Sequence, residues 1–214
     1  MSLKVNEVFY SIQGESSYAG FPCVFVRLTG CNLRCSWCDT EYAREEGAAM
    51  DIGEVLERVK GYGCRLVEIT GGEPLIQEET TELIRRLLDE GLAVLLETNG
   101  SMDVGAVDRR CVKVVDLKCP SSGESGCNNF RNLERLTEKD EIKFVVGDRA
   151  DYEYACKVLP LIRERCPGST VLFSPLSGRM EPRRLAGWIL EDRLFVRLQL
   201  QLHRVLWPEK NRGV

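Results

Sequence analysis

Short apolar runs that end in glycine, proline or polar clusters recur along these 214 residues, and most are separated by a stretch with helical periodicity. Val24–Leu28, Leu66–Thr70, Ala93–Glu97, Val112–Leu117, Ile142–Val146 and Thr170–Phe173 read as buried strands, preceded by a short strand over Lys4–Tyr10. Asp51–Lys60 reads as a helix capped by Asp51, with Ile52, Val55, Leu56 and Val59 on one face. Further helices are expected over Glu78–Glu90, stopped by Gly91, over Tyr152–Arg165 and near Arg183–Leu190, with a last strand over Leu194–Leu202. Such alternation argues for a parallel sheet with right-handed crossovers. A complete eightfold barrel needs about 250 residues, and the stretches 98–111 and 121–140 are too polar and too rich in Gly or Asn for full helices. The expected fold is therefore α/β, an open, partial TIM-like barrel of about six parallel strands with an incomplete helical layer. No linker or low-complexity segment interrupts it, so residues 1–214 are read as one domain.

Bulk properties exclude several functions. Hydrophobic residues make up 43% and charged residues 29%, ordinary for a soluble globular protein. A net charge of −4 offers no general basic field for nucleic acid or anionic lipid. Met1-Ser2-Leu3-Lys4 leads directly into apolar-polar alternation, and nowhere do about 18 apolar residues run together, so no membrane span is expected and the cytoplasm is the expected compartment.

In parallel α/β folds chemistry gathers at the C-terminal ends of the strands, and that is where the unusual motifs of this chain fall. Cys31, Cys35 and Cys38 follow the second strand with CxxxCxxC spacing. Gly71-Gly72-Glu73-Pro74, Thr98-Asn99-Gly100, Asp116-Leu117-Lys118 and Ser174-Pro175 each follow a later one. A four-iron cluster that only carries electrons takes four thiolates, so three leave one iron open to a small molecule. Structural zinc takes four ligands, and neither a second cysteine pair nor a nearby histidine accompanies this run; the sole histidine is His203. A zinc knuckle or three ordinary thiols are the alternatives, and the flanking Gly30, Trp37, Asp39 and Thr40 favour an iron–sulfur site. Of the remaining seven among ten cysteines, Cys23, Cys64, Cys111 and Cys156 sit on or beside expected elements as small hydrophobes. Cys119 and Cys127, eight apart, give little support to a second cluster.

The cysteine run, with Trp37 before its last cysteine and Gly71-Gly72-Glu73-Pro74 one strand later, resembles the radical S-adenosylmethionine superfamily. The resemblance implies a [4Fe–4S] cluster on Cys31, Cys35 and Cys38, with the amino and carboxylate groups of S-adenosylmethionine on the fourth iron. Reduction then cleaves the sulfonium and yields a 5′-deoxyadenosyl radical. Gly71 and Gly72 allow close backbone approach to a ligand, and Glu73 is expected to accept from the methionyl ammonium.

Phe9-Tyr-Ser-Ile-Gln-Gly-Glu-Ser-Ser-Tyr-Ala-Gly20, Phe25-Val-Arg27, Cys38-Asp-Thr40 and Gln201-Leu-His-Arg resemble the 7-carboxy-7-deazaguanine synthase family over nearly the whole length. That resemblance implies a lyase of queuosine and 7-deazapurine biosynthesis. It would convert 6-carboxy-5,6,7,8-tetrahydropterin to 7-carboxy-7-deazaguanine by ring contraction with loss of ammonia. It implies substrate contacts from Ile12, Gln13, Gly14, Glu15, Arg27, Thr70, His203 and the carboxyl end at Val214, within the closing Asn211-Arg-Gly-Val. Thr40 matches a magnesium-binding position. S-adenosylmethionine contacts fall on Trp37, Cys38, Asp39, Gly72, Glu73, Asn99, Asp116, Leu117, Lys118, Ser174, Pro175, Leu176 and Ser177. A homodimer and a low-potential flavodoxin or ferredoxin as reductant follow from the same likeness. A glycyl-radical-type activating enzyme and a non-enzymatic iron–sulfur or zinc protein are the rival readings.

Overall fold

Alternate residues of the parallel strands divide between two environments, because successive side chains in a strand point to opposite faces. The computed structural model describes residues 1–210 and 212–214. On the outer face Val24, Val26, Val67, Ile69, Val94, Leu96, Ile142, Phe144, Val171 and Phe173 join one buried cluster with side chains from the covering helices. On the inner face Cys23 and Phe25, Leu66, Leu95 and Val112 form a smaller apolar layer with Phe9, whose ring stacks on Phe25 at 4.9 Å. Above that layer the same face carries Arg27, Glu68, Thr70, Glu97, Asp116 and Lys143. Burying each large apolar side chain is worth about 1.5–3 kcal/mol, so the outer cluster and the inner plug hold the sheet while its upper interior stays polar.

β1 (Ser2–Ile12) pairs antiparallel with β2 (Pro22–Leu28) and with β3 (Ala48–Asp51). From β2 the sheet runs in parallel through β4 (Leu66–Gly71), β5 (Ala93–Thr98), β6 (Val112–Asp116), β7 (Glu141–Val146), β8 (Thr170–Pro175) and the two-residue β9 (Arg197–Leu198). The nine strands lie in the order β3-β1-β2-β4-β5-β6-β7-β8-β9, with β3 and β9 as unjoined ends. The six strands β2 and β4–β8 are the expected open parallel barrel, and β1 with β3 adds an antiparallel flap that alternation alone did not reveal.

α1 (Ile52–Gly61) begins at Asp51, whose carboxylate accepts from the Gly53 amide at 2.8 Å. α2 (Thr80–Asp89) ends before Gly91, which takes a left-handed φ of 78°. α3 (Arg149–Arg165) and α4 (Pro182–Glu191) cover β7 and β8. Between β6 and β7 the described residues form only short 3₁₀ turns, the incomplete part of the helical layer. The chain after β8 departs from expectation. Only Arg197 and Leu198 of the Leu194–Leu202 run are strand, and α5 (Leu202–Leu206) follows. The alternating Leu198-Gln-Leu-Gln-Leu202 imitates a strand, but the Leu202 amide donates to the Gly14 carbonyl at 2.9 Å, which draws the backbone off the sheet.

Candidate active site

A cavity of about 560 Å³ opens at the C-terminal ends of the parallel strands. The loop after β2 brings Cys31, Cys35 and Cys38 to its wall, each a partly exposed free thiol. Leu33 N–H approaches the Cys31 sulfur at 3.4 Å and Asn99 Nδ2 at 3.9 Å, while Cys38 lies 3.8 Å from the Thr40 hydroxyl. Burial pushes the Cys35 thiol up, and the nearby Lys118 ammonium opposes that shift. Among the described residues no three such side chains close into a finished metal centre; the loop offers its thiols singly to the cavity. Three thiols without a fourth, facing one hollow, fit a cluster with an open iron.

The glycine turn after β4 is zipped beneath this loop. Glu73 N–H donates to Gly30 O at 2.8 Å, and Gly72 N–H to Leu28 O at 3.3 Å. A Cβ on Gly72 would collide with the Gly30 carbonyl oxygen and stand 2.7 Å from Cys31 Cβ, so only glycine permits this approach. Gly72→Ala is expected to destabilise the chain by about 1–3 kcal/mol, the cost of overpacking, and to lower iron uptake. Urea unfolding and iron analysis check both; an unchanged midpoint would show that the turn yields without cost.

Several expected cofactor residues are placed otherwise. Glu73 is fully buried, and its carboxylate is engaged by Leu75 N, Asn99 N and the Thr98 hydroxyl at 2.7–3.0 Å. It braces β4 to β5, and burial raises its pKa against those hydrogen bonds. Leu117, at 1% exposure, belongs to the outer core, and Ser174 and Pro175 are buried in β8; none of them, nor Glu73, is part of the cavity wall. Alternation explains Leu117, whose neighbours Asp116 and Lys118 are on the wall while it points to the outer core. Trp37, Asp39, Thr40, Gly72, Asn99, Asp116, Lys118, Leu176 and Ser177 do line it. Lys118 Nζ bonds Asp116 at 2.9 Å and sits 5.5 Å from the Trp37 ring centre; burial would lower its pKa, but Asp116 holds it raised. Asp116 Oδ1 is buried with no hydrogen-bond partner, an acceptor left unsatisfied beside the cavity.

The floor comes from the β1–β2 loop and α5. Ile12, Gln13, Gly14, Glu15, Arg27, Thr70, His203 and Val214 all lie on the wall; Asn211 lies outside the described residues. Gly14 packs against His203, where a Cβ would meet the His203 backbone nitrogen at 3.0 Å and strike its ring. Burial lowers the His203 pKa, opposed by the Glu15 carboxylate. Arg204 pairs with Asp39 at 3.4 Å, tying α5 to the cysteine loop. Arg27 donates through Nε to Glu7 at 2.7 Å, with its guanidinium against the Phe9 and Tyr42 rings.

Three residues of the floor escaped the sequence reading: Glu68, Glu97 and Lys143. Lys143 Nζ bonds Glu15 at 2.6 Å, bonds Glu97, and lies 3.8 Å from Asp116. Burial would lower the Lys143 pKa, yet these carboxylates raise it well above its ordinary value. Glu15 is held down at about 2, because Lys143 and the Gln201 amide outweigh the effect of burial. Glu97 rises to about 7, driven by burial with Lys143 opposing. Glu68, hydrogen-bonded by Gln13 Nε2, rises to about 8 through burial and the neighbouring Glu97. The overlooked signal was a charge inside an apolar strand, since parallel strands covered on both faces are otherwise continuously hydrophobic.

Comparison with known proteins agrees with this arrangement. Residues 25–120 match the family model of the radical SAM superfamily. The chain is 45% identical to a 7-carboxy-7-deazaguanine synthase of Koribacter versatilis, across 99% of this chain and 100% of that protein. It is 48% identical to the synthase of Chlorobaculum tepidum, across 99% and 97% of the two chains. The crystal structure of QueE from Escherichia coli superposes with a TM-score of 0.80 at 27% identity, covering 95% of each chain. With its three thiols, glycine turn and strand-end cavity, and with this likeness along its full length, the chain belongs to the 7-carboxy-7-deazaguanine synthase family of the radical SAM superfamily.

Proposed function

We propose that the chain, acting as a single domain, converts 6-carboxy-5,6,7,8-tetrahydropterin to 7-carboxy-7-deazaguanine and ammonia. The observation that carries this reading is one cavity with three thiols on one side and a buried floor of carboxylates around Lys143 on the other. When bound, the cluster on Cys31, Cys35 and Cys38 and its S-adenosylmethionine supply a hydrogen-abstracting radical.

The remaining work falls to side chains of this chain. Arg27, already oriented through Nε by Glu7, receives the substrate carboxylate as a planar cation. Thr40, on the same wall as Arg27, would supply its hydroxyl oxygen to a magnesium ion, in keeping with the preference of magnesium for oxygen ligands. Glu15, kept ionised by Lys143, accepts from the N–H edge of the pterin, with Gln13, Thr70 and His203 around the ring. Trp37, Asp39, Gly72, Asn99, Asp116, Lys118, Leu176 and Ser177 surround the adenosyl and methionyl groups. Loss of ammonia balances atoms and electrons between substrate and product, so no stoichiometric oxidant is required. A low-potential flavodoxin or ferredoxin donates the electron, and the enzyme works in the cytoplasm as a homodimer.

The test is anaerobic. The chain is reconstituted with iron and sulfide, reduced, and supplied with S-adenosylmethionine and the carboxytetrahydropterin. Mass spectrometry is expected to find the deazaguanine acid growing over many turnovers. Cofactor cleavage without that product would point instead to an activating enzyme acting on a protein.

A further inference from the structure

The segment after β6 underlies the cysteine loop without contributing a ligand to it. Ser36 N–H donates to Ser122 O at 3.0 Å, and the Ser36 hydroxyl to Ser121 O at 2.8 Å. Arg34 N–H donates to Glu124 at 2.6 Å, and Trp37 Nε1 to the Ser121 hydroxyl at 3.1 Å. These four bonds fall on residues 34, 36 and 37, interleaved with Cys35 and Cys38. The ledge is itself fastened from the far side. Asp151, fully buried in the first turn of α3, accepts from Ser121 N–H at 2.8 Å through Oδ1 and from the Ser121 hydroxyl at 2.5 Å through Oδ2.

We infer that Asp151 and Ser121 are positioning residues, a relay from α3 that fixes the Trp37 indole and with it the Cys35–Cys38 span. The direction of the relay follows from hydrogen inventory. An ionised carboxylate only accepts and an indole N–H only donates. The Ser121 hydroxyl therefore spends its one proton on Asp151 and presents a lone pair to Trp37. A bland account would make Asp151 a helix-capping residue, since Oδ2 also accepts from Gly147 N–H at 2.8 Å and its own N–H donates to the cap Asp148 at 3.0 Å. Capping uses those two bonds alone. The two further bonds to Ser121 lie outside the helix, and from Ser121 the hydroxyl and carbonyl accept from Trp37 and Ser36 of the cysteine loop.

This inference rests on the reading of the three cysteines as cluster ligands, and its test is chosen to separate the two. Ser121→Ala keeps the Ser121 N–H bond and the cap while removing the hydroxyl, so the fold survives. In the iron-free chain, alkylation of Cys35 and Cys38 by iodoacetamide is followed by mass spectrometry, with partly exposed Cys64 as the internal reference. Ser121→Ala is expected to speed Cys35 and Cys38 about fivefold, the worth of one hydrogen bond, and to leave Cys64 unchanged. After reconstitution the same variant is expected to lose iron to a chelator about fivefold faster. Ser121→Thr, which keeps the hydroxyl, restores both rates. Trp37→Phe matches Ser121→Ala, and the double variant is no faster than either alone. Equal acceleration at Cys64, or wild-type rates at Cys35 and Cys38, overturns the inference. Failure of the wild-type chain to take up iron overturns the cluster reading, and the alkylation comparison still decides the relay.

Discussion

Lys143→Met is expected to destabilise the protein by about 3–5 kcal/mol near pH 8, the cost of leaving buried charge without its partner, and to lower kcat/KM about 100-fold through misplaced floor groups. Lys143 is only 3% exposed and is the one cation bonded to both Glu15 and Glu97 among the described residues. Met preserves the apolar stem, so the loss is of charge and hydrogen bonds rather than volume. The deficit should depend on pH, and its sign follows from the carboxylates. Glu15, at about 2 in the fold against an ordinary 4.5, contributes stability that is present above 4.5 and lost as pH falls through 2. Glu68 and Glu97, raised to about 8 and about 7, act in the opposite sense. Their contribution is full below 4.5 and is lost as pH rises through 7 to 8. Without Lys143, burial dominates at Glu15 as well, and its pKa rises above 4.5. At pH 5 the variant's carboxylates then take up protons, and much of the penalty disappears. Urea unfolding of both chains at pH 5, 6.5 and 8 measures this. A deficit equal at all three values would mean that Lys143 acts through packing and not through charge.

The same charge cluster shows what the sequence conceals. Strands β4–β8 were legible because their outer faces are mostly Val, Ile, Leu and Phe, with Lys113 of β6, buried against Asp140, as a charged exception, and the helix limits at Asp51 and Gly91 were legible because a cap and a left-handed stop have local chemistry. The cysteine loop and the glycine turn were legible as strand-end motifs, and the structure places Cys31, Cys35, Cys38 and Gly72 on one wall. Glu68, Glu97 and Lys143 were present in plain sight within expected strands. Their meaning depends on register, since Glu97 and Lys143 come from strands separated by β6 and meet only because the sheet curls. The antiparallel placement of β1 was hidden for a similar reason: a strand's own periodicity carries no direction. The bracing of β4 to β5 by Glu73 was not legible, because its three donors come from Leu75, Thr98 and Asn99 and meet its carboxylate only where the two strands end side by side. The Leu194–Leu202 run misled because period-two alternation also suits a coil crossing a cavity mouth, where Gln199 is buried and Leu200 is exposed.

Changing Cys31, Cys35 or Cys38 to Ala is expected to abolish deazaguanine formation and to strip most of the iron, while Cys127→Ser retains both. The asymmetry follows from placement. The first three thiols share one loop and one cavity wall, so removal of any one leaves two ligands for a cluster that needs three from the protein. Cys127 is exposed, donates to Glu124 at 3.5 Å and is absent from that wall, whereas Cys119 is fully buried in the outer core with a thiol that burial pushes up. A pair divided between solvent and core is not one metal site, which removes the basis for a second cluster. Iron and sulfide analysis, visible absorption and product assay on the four variants, reconstituted side by side, read the prediction. Zinc in place of iron, with all four variants equally inactive, would support the binding-protein alternative. Full turnover in any of the three alanine variants would falsify the assignment of that cysteine, because no other thiol among the described residues lines the cavity to replace it.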